Sequence, residues 1–274
     1  MKDARIYLSM ILGLAFFISS CDKVEEEEID TSFAEVESQA DDAFSEVDGI
    51  AQSSLTYYSV GGRTAEEGDS LIWCATKSIN FETKTITIDF GDGCEGLHGR
   101  IRKGKIIITY TTFFFLPGAE ITITFDNFYI NDIKVEGTRI FTNISESLET
   151  NPTFQVELVG GKLTWPDATF ATRESDFIET WLRAPNPFND QITIEGSASG
   201  SNRQGTQYTM NITSPLILKR SCWATRAFIP VQGIKEIEAN EKLITVDYGD
   251  GSCDRLVTIT VDGVSRIIEV ARGQ

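Results

Sequence analysis

The sequence predicts an all-β protein: an antiparallel meander or sandwich with an internal duplication and one short N-terminal amphipathic helix. Segments of alternating apolar and polar residues, such as 121–125 and 208–213, follow one another with turn residues between them. The chain lacks a strand–helix–strand rhythm, which argues against a parallel sheet. Two stretches, at about 70–112 and 218–262, each carry an adjacent tryptophan and cysteine followed by a strand, Gly-Asp-Gly and a second cysteine.

Residues 1–20 have the order of a secretory signal peptide. Lys2 and Arg5 precede the apolar stretch 6–18, and Ser19 and Ser20 are the small residues before Cys21. The apolar stretch is shorter than the ~20 residues that span a bilayer. We therefore expect cleavage before Cys21; an ordinary secretory signal followed by a chance cysteine is the alternative.

The segment Ile18-Ser19-Ser20-Cys21 resembles the lipobox of bacterial lipoproteins. The resemblance implies that Cys21 carries lipid on its thiol and, after cleavage, a further acyl chain such as palmitate on its amine. Two or more acyl chains anchor a protein stably, whereas one holds it only marginally. The sequence thus predicts a membrane partner, reached through a lipid anchor at Cys21.

Residues 21–31 are predicted to form an acidic tether, because a run of like charges cannot bury itself. The run is similar to the acidic export signal that follows the lipidated cysteine in surface lipoproteins of the Bacteroidota. That resemblance implies an outer-membrane protein at the cell surface. Asp22, directly after the cysteine, is read in other bacteria as a retention signal, so a periplasm-facing protein is the alternative.

A helix is predicted at 32–49. Ser32 and Glu35 form a capping-box pattern, apolar residues recur at helical spacing over 33–48, and Gly49 supplies a stop. We expect the apolar face to dock on the protein's own sheet. The acidic residues of this helix are expected to face water; they are Glu35, Glu37, Asp41, Asp42, Glu46 and Asp48.

The charge distribution limits the partners of the β-rich domain at 50–274. The chain has a net charge of −17, but residues 49–274 contain 28 acidic and 21 basic residues, a net charge of about −7. We interpret the acidity of the tether and helix as solvation near the membrane, not as a site for a cationic ligand. Nucleic acid is excluded as a partner because the sequence has no basic stripe.

Four cysteines remain after Cys21, and an exported protein folds where thiols are oxidised. We interpret the repeats as a duplication with a pseudo-twofold relation. Of the three connectivities that four cysteines allow, the repeat favours Cys74–Cys94 and Cys222–Cys253, one bridge in each half. A zinc site is the alternative, but the sequence lacks a CxxC pair and a second histidine.

The stretch 89–93, Asp-Phe-Gly-Asp-Gly, resembles the signature of PKD domains, but Ile88 replaces the expected tryptophan and the fold is not carried over. Calcium binding and a structural hairpin turn are both compatible with such a motif. We favour the turn and predict no metal site. Gly160-Gly161 is also predicted as a turn, and the run 113–116 as a strand with bulky groups on both faces, either core or a partner patch.

The sequence predicts no catalytic residue and no cofactor. His98 is the one histidine and lies in a glycine-flanked loop without a nucleophile elbow nearby. Over 70–262 the chain is similar to a group of Bacteroidota lipoproteins with paired Gly-Asp-Gly and cysteine hairpins, which implies no activity. We expect a surface binding module for glycan, host protein or envelope protein. A structural envelope protein and a carboxylate-dependent glycan hydrolase are the alternatives, and Trp165 and Trp181 are either sugar-stacking or core residues.

Overall fold

The computed structural model describes residues 32–59, 72–96, 99–225 and 229–270. They form one α-helix, two short 3-10 helices (Pro187–Asn189 and Arg220–Thr225) and fourteen strands. The helix is α1 (Ser32–Ser59). The strands are β1 (Thr76–Asn80), β2 (Thr85–Asp89), β3 (Cys94–Glu95), β4 (Ile101–Tyr110), β5 (Glu120–Ile130), β6 (Ile133–Asn143), β7 (Thr153–Thr164), β8 (Phe170–Leu182), β9 (Gln191–Ser201), β10 (Gln207–Lys219), β11 (Gln232–Ala239), β12 (Lys242–Asp250), β13 (Leu256–Val261) and β14 (Val264–Glu269).

All fourteen strands lie in one antiparallel sheet. Each strand pairs with the next along the chain, except that β2 pairs directly with β4 and the two-residue β3 pairs with the start of β4. The alternation of buried and exposed side chains along β2, β7 and β12 turns one face of this sheet toward the core. The predicted all-β meander is confirmed, and the sandwich alternative is wrong.

Helix α1 is longer than predicted. Gly49 does not end it, and the helix continues to Ser59. Ile50, Ala51 and Leu55 are buried and extend the apolar face beyond the glycine. A glycine inside a helix costs about 1 kcal/mol, which the burial of these side chains outweighs.

The sheet curls around α1. Phe33, near the start of the helix, packs edge-on against Tyr208 of β10, while Lys77 of β1 donates a hydrogen bond to the Ser54 carbonyl near the other end at 3.0 Å. The helix therefore crosses most of the width of the sheet on its inner face. Between 33 and 55, Glu35 and Gln39 are the exposed side chains. The apolar side chains of helix and sheet form one continuous core.

Glycine-containing bulges bend the strands. Gly104 lies at a register shift between β4 and β5, where an added Cβ would stand 1.9 Å from the Asn127 carbonyl oxygen. Gly160 and Gly161 lie at a similar shift inside β7, so their prediction as a turn between strands is wrong. A bulge sharpens the local bend and twist of a strand, and a series of them allows a wide sheet to enclose a helix.

The two ends of the sheet differ in their connections. At one end, named the short-turn end, β5–β6, β11–β12 and β13–β14 are joined by the two-residue turns 131–132, 240–241 and 262–263. The connections 90–100, 165–169 and 202–206 lie at the same end. The opposite end, named the loop end, carries the longer connections 111–119, 144–152, 183–190, 220–231 and 251–255. The run 113–116 lies in the first of these loops, so its prediction as a strand is wrong.

Candidate functional site

A layer of charged side chains lies between α1 and the sheet. The helix contributes five acidic residues and the sheet side five basic residues, so the charges of these ten side chains cancel. The acids are Glu37, Asp41, Asp42, Glu46 and Asp48, and the bases are Arg100, Arg102, Arg139, Arg173 and Lys235. The prediction that these acids face water is wrong for all five; only Glu35 of the predicted set is exposed.

The first group of this layer surrounds Asp41. Its carboxylate accepts Arg173 Nη1 at 2.7 Å and Lys235 Nζ at 2.6 Å. Glu37 lies 3.1 Å from Arg173 Nη2 and accepts the hydroxyl of Tyr208. Burial raises the pKa of Asp41, but Lys235 and Arg173 outweigh it and lower that pKa to about 2. Asp41 is therefore an anion at neutral pH.

The second group joins Asp48, Arg139 and Glu179. Arg139 binds both oxygens of Asp48, at 3.1 and 2.8 Å, and its Nη2 lies 3.8 Å from Glu179. Burial, with repulsion from Asp48, raises the pKa of Glu179 to about 7, against the attraction of Arg139. Glu179 is a sixth acid in a layer that five bases already neutralise, and it is the group we expect to carry a proton near neutral pH.

The third group consists of ion pairs on a different face of the helix. Arg100, just before β4, pairs with Asp42 and Glu46, and Arg102 of β4 pairs with Glu46 as well. These contacts use side chains that the helical spacing places on a second face of α1. The acidity that suggested a solvated helix is instead neutralised inside the protein.

The layer does not enclose a substrate site. A cavity between the first two groups has a volume of about 40 Å³ and is bordered by Asp41, Arg139, Arg173, Glu179 and Lys235. At ~10–15 Å³ for each water, this volume suits a few water molecules and falls far below the ~300 Å³ of a ligand pocket. The charges therefore act on the packing of helix against sheet, not on a bound substrate.

Two disulfides close the cysteine hairpins. Cys74 bonds to Cys94 and Cys222 to Cys253, with Cα atoms 5.7 and 5.0 Å apart, which are the within-repeat pairs that the sequence predicts. By loop-closure entropy, bridges that span 20 and 31 residues each contribute about 3–4 kcal/mol to the free energy of unfolding.

The two hairpins also share their register. Lys77 faces Ile88 across β1–β2, and Lys235 faces Val246 across β11–β12. Because β1 and β11 run in opposite directions, the bridge of the first hairpin lies at the short-turn end and that of the second at the loop end. A twofold rotation that keeps the same face toward the core would also reverse the order of the two strands across the sheet, and that order is the same in both hairpins, so the predicted pseudo-twofold relation is wrong for them.

The first Gly-Asp-Gly motif forms a turn at 91–93, whereas the second lies at a bulge at the end of β12, so its prediction as a turn is wrong. The Asp89 carboxylate accepts the Gly91 N–H at 2.9 Å, and the Asp247 carboxylate accepts the Gly249 N–H at 2.8 Å. Both glycines have positive φ, a conformation that glycine adopts readily in turns and bulges. Within the described residues, no three side chains of His, Cys, Asp or Glu are grouped as a metal site requires.

The remaining predicted residues are core residues or lie outside the described chain. Cys21 and His98 are outside the described residues. Trp165 is buried, and Trp181 packs with the rings of Phe114 and Phe154 beneath the loop end. In the described chain, no helix is long and apolar enough to cross a membrane.

The loop end exposes apolar side chains above this aromatic floor. Phe113, Leu148 and Phe188 are 57%, 60% and 43% exposed, each on a different loop. Phe114, beside Phe113, is buried and stacks on Phe154 at 4.5 Å, so the first loop is fixed to the core directly beneath its exposed side chain. Such loops on a rigid sheet are the usual location of binding residues.

A second feature interrupts the sheet between β5 and β6. These strands form bridge pairs up to Ile123↔Arg139 and again from Tyr129↔Lys134, with no pair between. A hollow of about 380 Å³ opens there. It is named the β5–β6 opening and is lined by Phe125, Asp126, Asn127, Lys134, Val135, Glu136 and Gly137.

Comparisons of the chain with protein-family models, with curated proteins and with solved structures found no match.

The five basic residues of the charged layer were not predicted from the sequence. The alternation of residues along a strand could have indicated these basic residues, since Arg139 lies on the same face of β6 as the buried Val135 and Phe141. Lys235 likewise shares the inward parity of Ile237 on β11. A basic residue at one of the buried, alternate positions of a strand predicts a buried ion pair.

Proposed function

We propose that this protein is a lipid-anchored extracytoplasmic interaction module that binds a protein partner through its loop end. The observation that carries the proposal is the loop end itself, where three long connections expose apolar side chains above a fixed aromatic floor. Singly exposed apolar residues are ordinary. Three of them on neighbouring loops over a fixed aromatic floor form a surface suited to a protein contact.

The position of the helix start supports the orientation. Phe33 packs on Tyr208, the second residue of β10, which lies at the short-turn end. A lipid at Cys21 would reach this end through the tether 21–31, which spans at most about 40 Å. The loop end then faces away from the membrane. The two disulfides support an extracytoplasmic location.

The filled interior favours a binding role over the hydrolase alternative. Within the described residues, the space inside the curled sheet is occupied by α1, and the cavity beside it holds only about 40 Å³. A glycan hydrolase needs two carboxyl groups on either side of a bound sugar. Of the buried acids in the described residues, Glu37 and Asp48 are instead held by arginine and lysine, and Glu179 lies 3.8 Å from Arg139, which already pairs with Asp48.

The anchor is tested by fractionation of cells that express the full chain. Replacing Cys21 by Ala removes the acceptor for lipid, so the variant is expected in the soluble extracytoplasmic fraction while the wild type sediments with membranes. Mature wild type should carry acyl chains at its new N-terminus by mass spectrometry. Membrane retention of the variant would contradict lipid anchoring.

The binding surface is tested by site-specific photo-crosslinking in intact cells. A photoreactive residue at Leu148 or Phe188 is expected to give adducts heavier than the chain itself. The matched control is Phe170, which is 46% exposed at the short-turn end. Adducts from Phe170 alone, or equally from both ends, would contradict a partner at the loop end.

A further inference from the structure

We propose that Lys235 and Asp41 condense to an isopeptide bond that joins helix α1 covalently to strand β11, with Glu37 carrying protons between them. The bond forms between Lys235 Nζ and Asp41 Cγ, and it needs no cofactor. The proposal rests on the contacts of these three side chains and on their place between helix and sheet. It does not involve the loop end, so it is independent of the protein partner proposed above.

The amine and the carboxyl group are already in contact. Lys235 Nζ lies 2.6 Å from Asp41 Oδ2, and the Lys235 side chain is fully buried. Asp41 Cγ is one carbon–oxygen bond beyond that oxygen, which places it near the ~3–3.5 Å of a near-attack geometry. The apolar side chains of helix and sheet form one core that holds the two groups in this position. Such fixed contacts correspond to effective concentrations of ~10⁵ M or more.

Glu37 supplies a base beside the amine. Its side chain is fully buried, and its Oε2 lies 3.6 Å from Lys235 Nζ, longer than a hydrogen bond, as catalytic contacts often are before reaction. Within the described residues, this oxygen accepts no hydrogen bond, although Arg173 Nη2 lies 3.1 Å away. Glu37 and Asp41 are one helical turn apart on α1, so their carboxyl groups are neighbours. Glu37 Oε2 is therefore a buried base with a vacant acceptor position next to both reacting groups.

The condensation balances without another reactant. Glu37 takes a proton from Lys235 Nζ and delivers it to Asp41 Oδ2, which leaves a neutral amine beside a neutral carboxyl group. Nζ then attacks Cγ, and Arg173 Nη1, 2.7 Å from Asp41 Oδ1, stabilises the negative charge that develops on that oxygen. A second proton follows the same route from Nζ to Oδ2, and the Cγ–Oδ2 bond breaks to release water.

The charges of the cluster agree with this outcome. The attractions that lower the pKa of Asp41 and raise that of Lys235 do not oppose the overall step, because it exchanges no proton with solvent. Two buried charges become one neutral amide, which removes their desolvation cost, and Glu37 and Arg173 remain as a balanced pair. The released water has room in the cavity of about 40 Å³ that Asp41 and Lys235 border.

The test is peptide mapping of the purified full chain by mass spectrometry after reduction and denaturation. A branched peptide is expected that joins the segments containing Asp41 and Lys235 and is lighter than their sum by one water molecule. A map in which both residues occur only in unbranched peptides would overturn the proposal, and this result does not depend on whether any variant folds.

The matched control is an exposed pair in the same sample. Lys103 Nζ and Asp132 Oδ1 are also 2.6 Å apart, but their side chains are 38% and 67% exposed. No branched peptide is expected from this pair, because water competes for both groups. Equal branching at the two pairs would show dehydration during handling and would overturn the proposal.

Variants assign the roles. Lys235→Arg and Asp41→Ala remove one reacting group each, so the loss of water is expected to disappear in both; its persistence in either would overturn the assignment. Glu37→Gln, with folding checked by circular dichroism, is expected to lower the branched fraction at early times at least ~10-fold, since it removes the base. Undiminished branching in folded Glu37→Gln would overturn the role of Glu37.

Discussion

Glu179 is the residue whose protonation links the stability of this protein to pH. It is buried on β8 beside Asp48 of the helix and Arg139 of β6, the charged groups that face it. Its pKa is about 7 in the folded protein, against 4.5 for an ordinary glutamate. The protonated form therefore stabilises the fold below about pH 4.5, and this stability is lost as pH rises through 7.

Replacing Glu179 by Gln is expected to remove this loss. The variant should exceed the wild type in free energy of unfolding at about pH 8 by up to ~3 kcal/mol, and by much less at about pH 5. Urea denaturation at both pH values measures the difference. Glu195→Gln, an exposed acid on the neighbouring strand β9, is the control with no expected effect. Equal effects of Glu179→Gln at both pH values would contradict a raised pKa.

Replacing Lys235 alone is expected to lower the free energy of unfolding. Its side chain is fully buried and pairs with Asp41, so Lys235→Met leaves Asp41 and Glu37 with Arg173 as their remaining cation. An uncompensated buried charge costs about 3–5 kcal/mol. Adding Asp41→Asn should recover part of that loss in a double-mutant cycle measured by chemical denaturation.

The control for Lys235 is an exposed ion pair. Lys103→Met breaks the pair with Asp132, whose side chains are 38% and 67% exposed, and should cost less than about 1 kcal/mol. A similar cost for both lysine variants would show that burial does not set the energy of the Lys235 pair.

At the scale of single residues, the sequence predicted the cysteine pairs because duplication restricted their choices. It did not predict the orientation of the helix acids, since an acid on a helix face is usually solvated and the cations that pair with it lie 54 to 194 residues away. The alternation along the strands indicated buried cations at Arg139, Arg173 and Lys235, but it does not specify their partners.

Among the elements, the bulged strands explain how a sheet of fourteen strands encloses a helix. Gly104 has very little room, because an added Cβ stands 1.9 Å from a backbone oxygen, and Gly200 has an equally close approach. Gly160 also has positive φ, but an added Cβ there meets no atom within 4 Å. A comparison of the two positions separates the cost of a positive φ, which both share, from the cost of a steric collision, which arises at Gly104 and not at Gly160.

Gly104→Ala is accordingly expected to destabilise the protein by at least ~2 kcal/mol more than Gly160→Ala. In both variants the alanine must adopt a positive φ, which costs about 1 kcal/mol of stability. Only Gly104→Ala must also separate β4 from β5. Thermal unfolding of the two variants measures the difference. Equal melting temperatures would contradict a close approach of the strands at Gly104.

The elements that the sequence misjudged share a physical cause. Gly49 was expected to end the helix, and 113–116 was expected to be a strand, because local propensity and pattern favour those structures. Tertiary packing decided otherwise: the enclosing sheet stabilises the helix past Gly49, and Phe114 leaves the strand direction to stack on Phe154. Contacts made across the fold are not visible in a local window of sequence.

At the scale of the whole molecule, the alternation of residues was sufficient to predict an antiparallel all-β meander. The enclosure of α1 was not predictable, because it depends on the bend accumulated over many strands. Because the helix fills the interior of the described chain, we propose that recognition uses the outer surface, at the loop end.

Hydrogen exchange of the amides in α1 tests the enclosure most directly. A helix held inside the sheet by five acids and a continuous core should exchange as slowly as the central strands β6–β8, at rates set by global unfolding. The account predicts this protection for residues 36–55 in the full chain. Exchange of these amides within the time of an exposed helix, while the strands remain protected, would contradict it.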